Sequence, residues 1–323
     1  MEQSQELTLV ARKPYFDLPT ACPICLPVYI YLKLSRLPFT LEFNSIYPDS
    51  DQIPYVEYGA YVAYNNENDG VIERLKEKSV IDLDSDFQAV PEWISAKAMI
   101  DSWLADAIMY ELWLGSDASV ADKIYYSDLP WPIGKILYLK QVYNVKQRLG
   151  ITKDNAQWRE EQIYKKAKMA YEALSTRLGD QNFLFENRPS SLDAYFLGHA
   201  LFTLQALPET SMLRGKLLQH DNIVRYAEKL KMEFLEAGSS SSVPQPHSSP
   251  SSSAQRRGTW NWSSKPKGGK PKREKTEEEK KFKKRAKYFL AAQGIAVLLF
   301  LSVMGRGSAE VELEDDDEGF SYD

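Results

Sequence analysis

Residues 190–207 read SSLDAYFLGHALFTLQAL. After Asp193 no Asp, Glu, Lys or Arg appears before Glu209, and at 3.6 residues per turn the apolar side chains cover nearly every side of a helix. A helix that is apolar all round belongs in a core, and this one is too short to cross a bilayer. Its start is marked. Ser190 at the N-cap can accept from the backbone N–H of Asp193, while the Asp193 carboxylate reaches back to Ser190, an Asp version of the capping box. A cap of this kind contributes about 0.5–2 kcal/mol. The stretch therefore predicts the central buried helix of a helical domain.

The flanking sequence supplies helices to cover it. Trp93, Ile100, Trp103, Leu104, Ala107 and Ile108 form one apolar face, and Ile163, Ala167, Ala170, Leu174 and Leu178 form another that ends at Gly179, a C-terminal cap. Residues 84–237 thus read as an all-helical domain. Residues 1–83 read differently: a strand at Leu7–Ala11, helical spacing over Pro27–Leu37, strands at Phe39–Asn44, Tyr55–Tyr58 and Tyr61–Tyr64 with a turn at Gly59-Ala60, and a helix over Gly70–Lys78. The order β-α-β-β-β-α predicts a small sheet with helices packed on it.

Both cysteines of the chain lie in Cys22-Pro23-Ile24-Cys25. One such pair excludes a secreted disulfide framework and fits a reducing compartment. A thiol just before a helix N-terminus is acidified, so Cys22 is a candidate nucleophile with Cys25 as its resolving partner. Leu26-Pro27 follows the pair, however, and places the expected helix start beyond it. Zinc is disfavoured, because the pair offers two ligands and His199, His220 and His247 have no ligand spacing.

Beyond residue 237 the composition changes. Residues 238–275 begin with a Ser/Pro-rich run and continue as RRGTWNWSSKPKGGKPKREK, and they read as a disordered basic linker suited to anionic head groups rather than to nucleic acid. A charged helix is expected over 276–287, opened by the capping box Thr276-Glu277-Glu278-Glu279. Then 288–304, YFLAAQGIAVLLFLSVM, carries no charge. Its Tyr288, Phe289, Leu290, Ile295, Val297, Leu298, Leu299, Phe300, Leu301, Val303 and Met304 predict a transmembrane anchor, rising about 26 Å as a helix. Basic residues before it and the acidic tail 305–323 after it orient the body to the cytosol. The N-terminus has neither signal-peptide nor presequence character. The net charge of −5 conceals this segregation of basic linker from acidic tail.

The strand, the CxxC loop and helix, the Ile53-Pro54 step into a hairpin, and the Ser190/Asp193 helix together resemble the glutathione-transferase architecture. That likeness implies an α/β plus all-α fold, with a thioredoxin-like N-terminal domain and a helical C-terminal domain, in which Pro54 corresponds to a cis-proline and Ser190 with Asp193 to the cap of the central helix. VARKPYFDLPTACPICLPVYIYLKL, IPYVEYGAYVAYNNENDGVI, YYSDLPW and the C-terminal KTEEEKKFKKRAKYFLAAQ further resemble the metaxins in their plant form. The metaxin resemblance implies a non-catalytic outer mitochondrial membrane subunit or receptor in protein import and β-barrel sorting and assembly. Its partners would be precursor proteins and subunits of the import or assembly complex, and it would need no cofactor. Where transferases carry a Glu-Ser pair for glutathione, this chain has Asn65-Asn66, which removes the charged partner of the ligand amine. A membrane-anchored thiol transferase and an organelle-surface tether are the alternatives.

Overall fold

The computed structural model describes residues 7–44, 50–67, 70–87, 89–115, 118–185 and 188–236. Strands β1 (Leu7–Ala11), β2 (Phe39–Phe43), β3 (Tyr55–Tyr58) and β4 (Tyr61–Tyr64) form one sheet in the order β2-β1-β3-β4. The β1/β2 pair is parallel and the other two are antiparallel. The register brings Leu41, Leu9, Val56 and Ala63 into one row across the four strands, and the last three are fully buried. Period-two alternation places such a row on a single face, the one that packs on the core. Gly59 closes the β3–β4 hairpin with φ 60°, a value glycine adopts without steric penalty. The Ile53–Pro54 peptide leading into β3 is cis, as is Trp131–Pro132.

Helix α1 runs Cys25–Leu34 and is buried at every position except Lys33. It therefore starts at the second cysteine, not after the pair as the sequence suggested. The first amides of a helix have no intrahelical acceptor, so the missing N–H of Pro27 in the first turn costs nothing. Leu26 N–H already bonds the Cys22 carbonyl at 3.0 Å, so the first turn reaches back to Cys22. The helix also ends before Leu37. Arg36 takes a left-handed φ of 57° and its N–H bonds the Lys33 carbonyl, while Ser35 Oγ donates to the Leu32 carbonyl. Helix α2 (Val71–Glu77) follows from an N-cap at Gly70.

The second half is helical. Helix α3 (Pro91–Ala98), π-helical turns at Met99–Leu104, α4 (Ala105–Tyr110) and more π-helical turns at Glu111–Gly115 form one path. Short α5 (Ser119–Ala121) leads through a π-helical Asp122–Tyr126 to α6 (Ile133–Arg148), α7 (Ala156–Leu178), α8 (Ser191–Gln205), α9 (Met212–Leu217) and α10 (Asp221–Leu230). Of the apolar stripes expected from sequence, Trp103 alone is only partly buried, because it packs against the core from outside. Gly179 caps α7 with φ 52°.

Helix α8 is the pillar of this half, with Leu192, Ala194, Phe196, Leu197, Ala200 and Phe202 fully buried. Its N-terminus carries the capping box of Ser190 and Asp193. Ser190 N–H donates to Asp193 Oδ2 at 2.9 Å, and Ser190 Oγ is 3.4 Å from the Asp193 amide. The carboxylate has further duties: Oδ1 accepts from the Leu184 N–H at 2.8 Å and from the Tyr226 hydroxyl at 2.9 Å. Burial, opposed by these donors, leaves the Asp193 carboxyl above the ordinary range. A second buried carboxylate, Asp84, accepts from Ser191 N–H at 2.8 Å and pairs with Lys76 of α2. The two halves are thus stitched at one helix end. They also touch backbone to ring, since a Cβ at Gly198 of α8 would lie 2.8 Å from Pro27 Cγ of α1.

Among the described residues no helix is long and apolar enough to cross a membrane. The expected linker, charged helix, anchor at 288–304 and acidic tail lie outside the described residues.

Because Asp193 accepts from the Ser190 N–H and hydroxyl, the Leu184 N–H and the Tyr226 hydroxyl, Asp193→Ala takes the acceptor from four buried donors. We expect a loss on the order of 3–5 kcal/mol, well above the worth of a cap alone. Urea unfolding of the purified protein checks this, with Ser190→Ala as the smaller, cap-sized comparison.

Candidate functional site

Where the sheet half meets the helical half lies a cleft of about 580 Å³. Its floor is the CxxC loop, with Cys22, Pro23, Ile24 and Pro27, beside Arg12 from just beyond β1. One wall comes from Ile53, Asn65 and Val71 of the sheet half, and the other from Ile108, Leu112, Trp113 and Tyr125. The inner side of α6 adds Gln141, Asn144, Val145 and Arg148.

At the floor, four side chains converge. Cys22 Sγ lies 3.5 Å from the Tyr125 hydroxyl, and the Arg12 guanidinium carbon sits 4.7 Å above the Tyr125 ring. Arg12 Nη2 donates to the Ser50 carbonyl at 3.1 Å, while its buried Nε has no hydrogen-bond partner among the described residues. Trp113 backs Tyr125 with ring centroids 5.2 Å apart. Burial pushes the Cys22 thiol up, but the hydrogen bond with Cys25, the Arg12 charge and the Tyr125 hydroxyl outweigh it and bring Cys22 down to about 5. The opposite happens to Cys25, which burial and the neighbouring Cys22 push well above the ordinary thiol range. Burial and Cys22 likewise raise Tyr125, which stays a neutral donor. The two thiols are thus shifted in opposite directions, Cys22 down and Cys25 up. Both are free, and Cys22 is only 1% exposed, so large reagents meet little of its sulfur surface.

Two other buried polar groups stand nearby: His199, which lines the cleft, and Glu111, which belongs to the framework. Burial lowers His199 to about 3, and its Nε2 lies 2.6 Å from the Tyr171 hydroxyl. Glu111 Oε1 accepts from Tyr164 hydroxyl, Ser211 Oγ and Leu213 N–H, each at 2.9 Å, tying the Glu111–Gly115 turn to α7 and α9. Among the described residues no group of three or more His, Cys, Asp or Glu could hold a metal ion.

The sequence-derived residues divide accordingly. Cys22 lines the cleft, Cys25 lies beneath it, and Ile53 before Pro54 contributes to the wall. Ser190 and Asp193 lie in the framework at the base of α8. Asn65 lines the cleft and its Nδ2 donates to the Asp51 carbonyl at 3.2 Å, whereas Asn66 Nδ2 faces Asp51 Oδ1 at 3.4 Å. Arg12 and Tyr125 were not foreseen as site residues. Both sit inside the stretches VARKP and YYSDLPW, but nothing local in either stretch reveals a shared partner 103 residues away from Tyr125.

The sheet order, the parallel β1/β2 pair, the cleft beside the CxxC loop and the capped central helix define a protein of the glutathione-transferase fold. Residues 23–118 match the family described as "Glutathione S-transferase N-terminal domain" and 167–230 that described as "Glutathione S-transferase, C-terminal domain". A glutathione transferase of Phanerochaete chrysosporium, GSTFuA2, superposes with a TM-score of 0.48 at 11% identity, covering 72% of this chain and 99% of that one. An Arabidopsis thaliana protein named "Mitochondrial outer membrane import complex protein METAXIN" is 63% identical over 322 residues, 98% of this chain and 100% of its own. Metaxin-2 of Homo sapiens is 25% identical over 222 residues, covering 65% of this chain and 81% of its own. The chain belongs to the metaxin family.

The Cys22 environment has a direct optical test. Thiolate absorbance in the ultraviolet, taken as the difference between the protein and its Cys22→Ser variant, should appear with a midpoint near pH 5. It persists at higher pH and is lost in acid. Because the folded thiol is depressed below its unfolded value, its contribution to stability is present above the unfolded value of 9.0 and fades as pH falls through 5. Tyr125→Phe and Arg12→Met should each move the midpoint upward.

Proposed function

We propose that this protein is a non-catalytic receptor or subunit of an import complex of the mitochondrial outer membrane, and that it holds precursor segments, β-barrel precursors among them. The observation that carries this is the 63% identity with the Arabidopsis relative, which extends over 98% of this chain and so takes in the apolar run at 288–304. In this reading 288–304 is the anchor and the sheet and helical halves face the cytosol, by the positive-inside tendency. Domain limits follow the sequence: 1–83, 84–237, the linker 238–275, 276–287, the anchor and the tail 305–323.

The architecture offers two kinds of grip. The cleft has apolar walls at Ile53, Val71, Ile108 and Leu112 with polar groups at its floor, suited to a short extended segment. Strands β2 and β4 are sheet edges, and an edge can pair with a client strand through backbone hydrogen bonds. The amides of Asn65 and Asn66 stand where transferases carry a Glu-Ser pair, a departure from the glutathione-binding pattern, while the carboxylates of Asp51 and Asp101 also line the cleft.

A photo-crosslinker at Asn144, inside the cleft, tests the reading. It should capture newly made β-barrel precursor during import into isolated mitochondria, and excess glutathione should not compete. The depressed Cys22 favours a thiol transferase as the second reading; glutathione binding with no precursor adduct would select it.

Removing residues 288–323 should release the protein from membranes. Carbonate extraction reads the result, and a truncated protein that stays in the pellet rules the anchor out.

A further inference from the structure

Helix α6 has two unlike sides. Gln141, Asn144, Val145 and Arg148 turn toward the cleft. On the other side Ile133, Ile136, Leu139 and Tyr143 follow one another at spacings of three, three and four, which keeps them on one stripe. All four are exposed, at 48%, 41%, 55% and 52%, and Trp131, just before the helix, is 85% exposed between Pro130 and Pro132. Only Gly134 and Val145 of the 16 helical residues are buried. A cluster of large apolar side chains held in water is costly and marks a surface built to be covered.

The charge around the stripe indicates what covers it. From Leu129 to Lys153 there are five cations and no Asp or Glu: Lys135, Lys140 and Lys146 along α6, Arg148 on its cleft side and Lys153 beyond its end. All five are exposed. Protein–protein interfaces are depleted in lysine and enriched in aromatic and arginine anchors. Interfacial helices lying on a bilayer show the other pattern, with Trp and aliphatic residues on one face and lysines along its edges. Lysine stems can lie along apolar surface while their ammonium groups reach head groups, and the Lys135 ammonium already sits over an aromatic ring of the same helix, 5.0 Å from the Tyr138 centroid. Trp at the entry of the helix suits the head-group level.

We propose that the outer side of α6, from Trp131 to Tyr143, docks on an anionic phospholipid surface. The proposal goes beyond the import reading and does not depend on the anchor, since it rests on residues 129–153 alone. Its geometric consequence is that the cleft, whose wall is the inner side of the same helix, would open beside the bilayer rather than away from it.

The test places an environment-sensitive fluorescent amino acid at position 139 of the full-length protein. The protein is reconstituted with vesicles of phosphatidylcholine alone, or of phosphatidylcholine mixed with phosphatidylserine. The expected result is a blue shift and quenching by brominated acyl chains in the anionic vesicles only, both lost at high salt. Lys135→Glu combined with Lys146→Glu should abolish the shift, and the salt arm stands on its own if that variant fails to fold. Emission that is the same in both lipids overturns the proposal. So does a shift that appears in detergent without lipid and grows with protein concentration, which assigns the stripe to a second copy. A failed anchor is told apart by the amount of protein bound to both vesicles, because the probe reports α6 alone.

Discussion

The N-terminus of α8 presents its unpaired amides inside the protein, out of reach of water, and everything around it is arranged to satisfy them. Two carboxylates do this, Asp193 from within the first turn and Asp84 from the segment joining the halves. Negative charge at a helix N-terminus is favourable, yet two buried carboxylates side by side also need positive charge and donors. Lys76 from α2 and the hydroxyls of Ser190, Ser191 and Tyr226 supply them. One helix end therefore fixes where α2, the joining segment, the 184 loop and α10 must lie. The cleft inherits its shape from that arrangement.

Much of this was readable before any coordinates. The box at Ser190 and Asp193, the strands and the buried stripe of α7 are local signals, in which spacing alone states the structure. Helix α1 starts earlier than the sequence suggests because a proline that reads as a breaker sits in the first turn, where no amide is needed from it. The cleft floor was half legible. Cys22 announces itself by chemistry and position, but Arg12 and Tyr125 gain meaning only when the fold brings them to the same sulfur. Long-range convergence of ordinary residues leaves no period or motif in one sequence. The same holds for Asp84, an unremarked acid between the halves until it is found beneath Lys76.

The floor of the cleft holds two oppositely shifted thiols while its wall carries the Asn65 amide where transferases have a Glu-Ser pair. These two observations pull in different directions only if the thiol must act on glutathione. Arg12 and Tyr125 converge on the acidified Cys22 at the base of the opening, and this polar floor is itself a feature any occupant must meet. An extended peptide would meet it with a backbone amide or a basic side chain. The apolar walls above favour the non-polar residues of the same segment.

The contact of Gly198 with Pro27 has a mechanical meaning. With no side chain between them, α1 and α8 meet like two rods lashed at a crossing, the backbone of one against the Pro27 ring of the other with no room for even a methyl group. The seam behaves as a fixed jaw. Any widening of the opening must then come from the opposite jaw, the path from Pro91 to Gly115 and helix α6, where α-helical pieces alternate with wider π-helical turns and only Gly134 and Val145 of α6 are buried. A load applied to that outer side is transmitted to the opening by a single rigid helix.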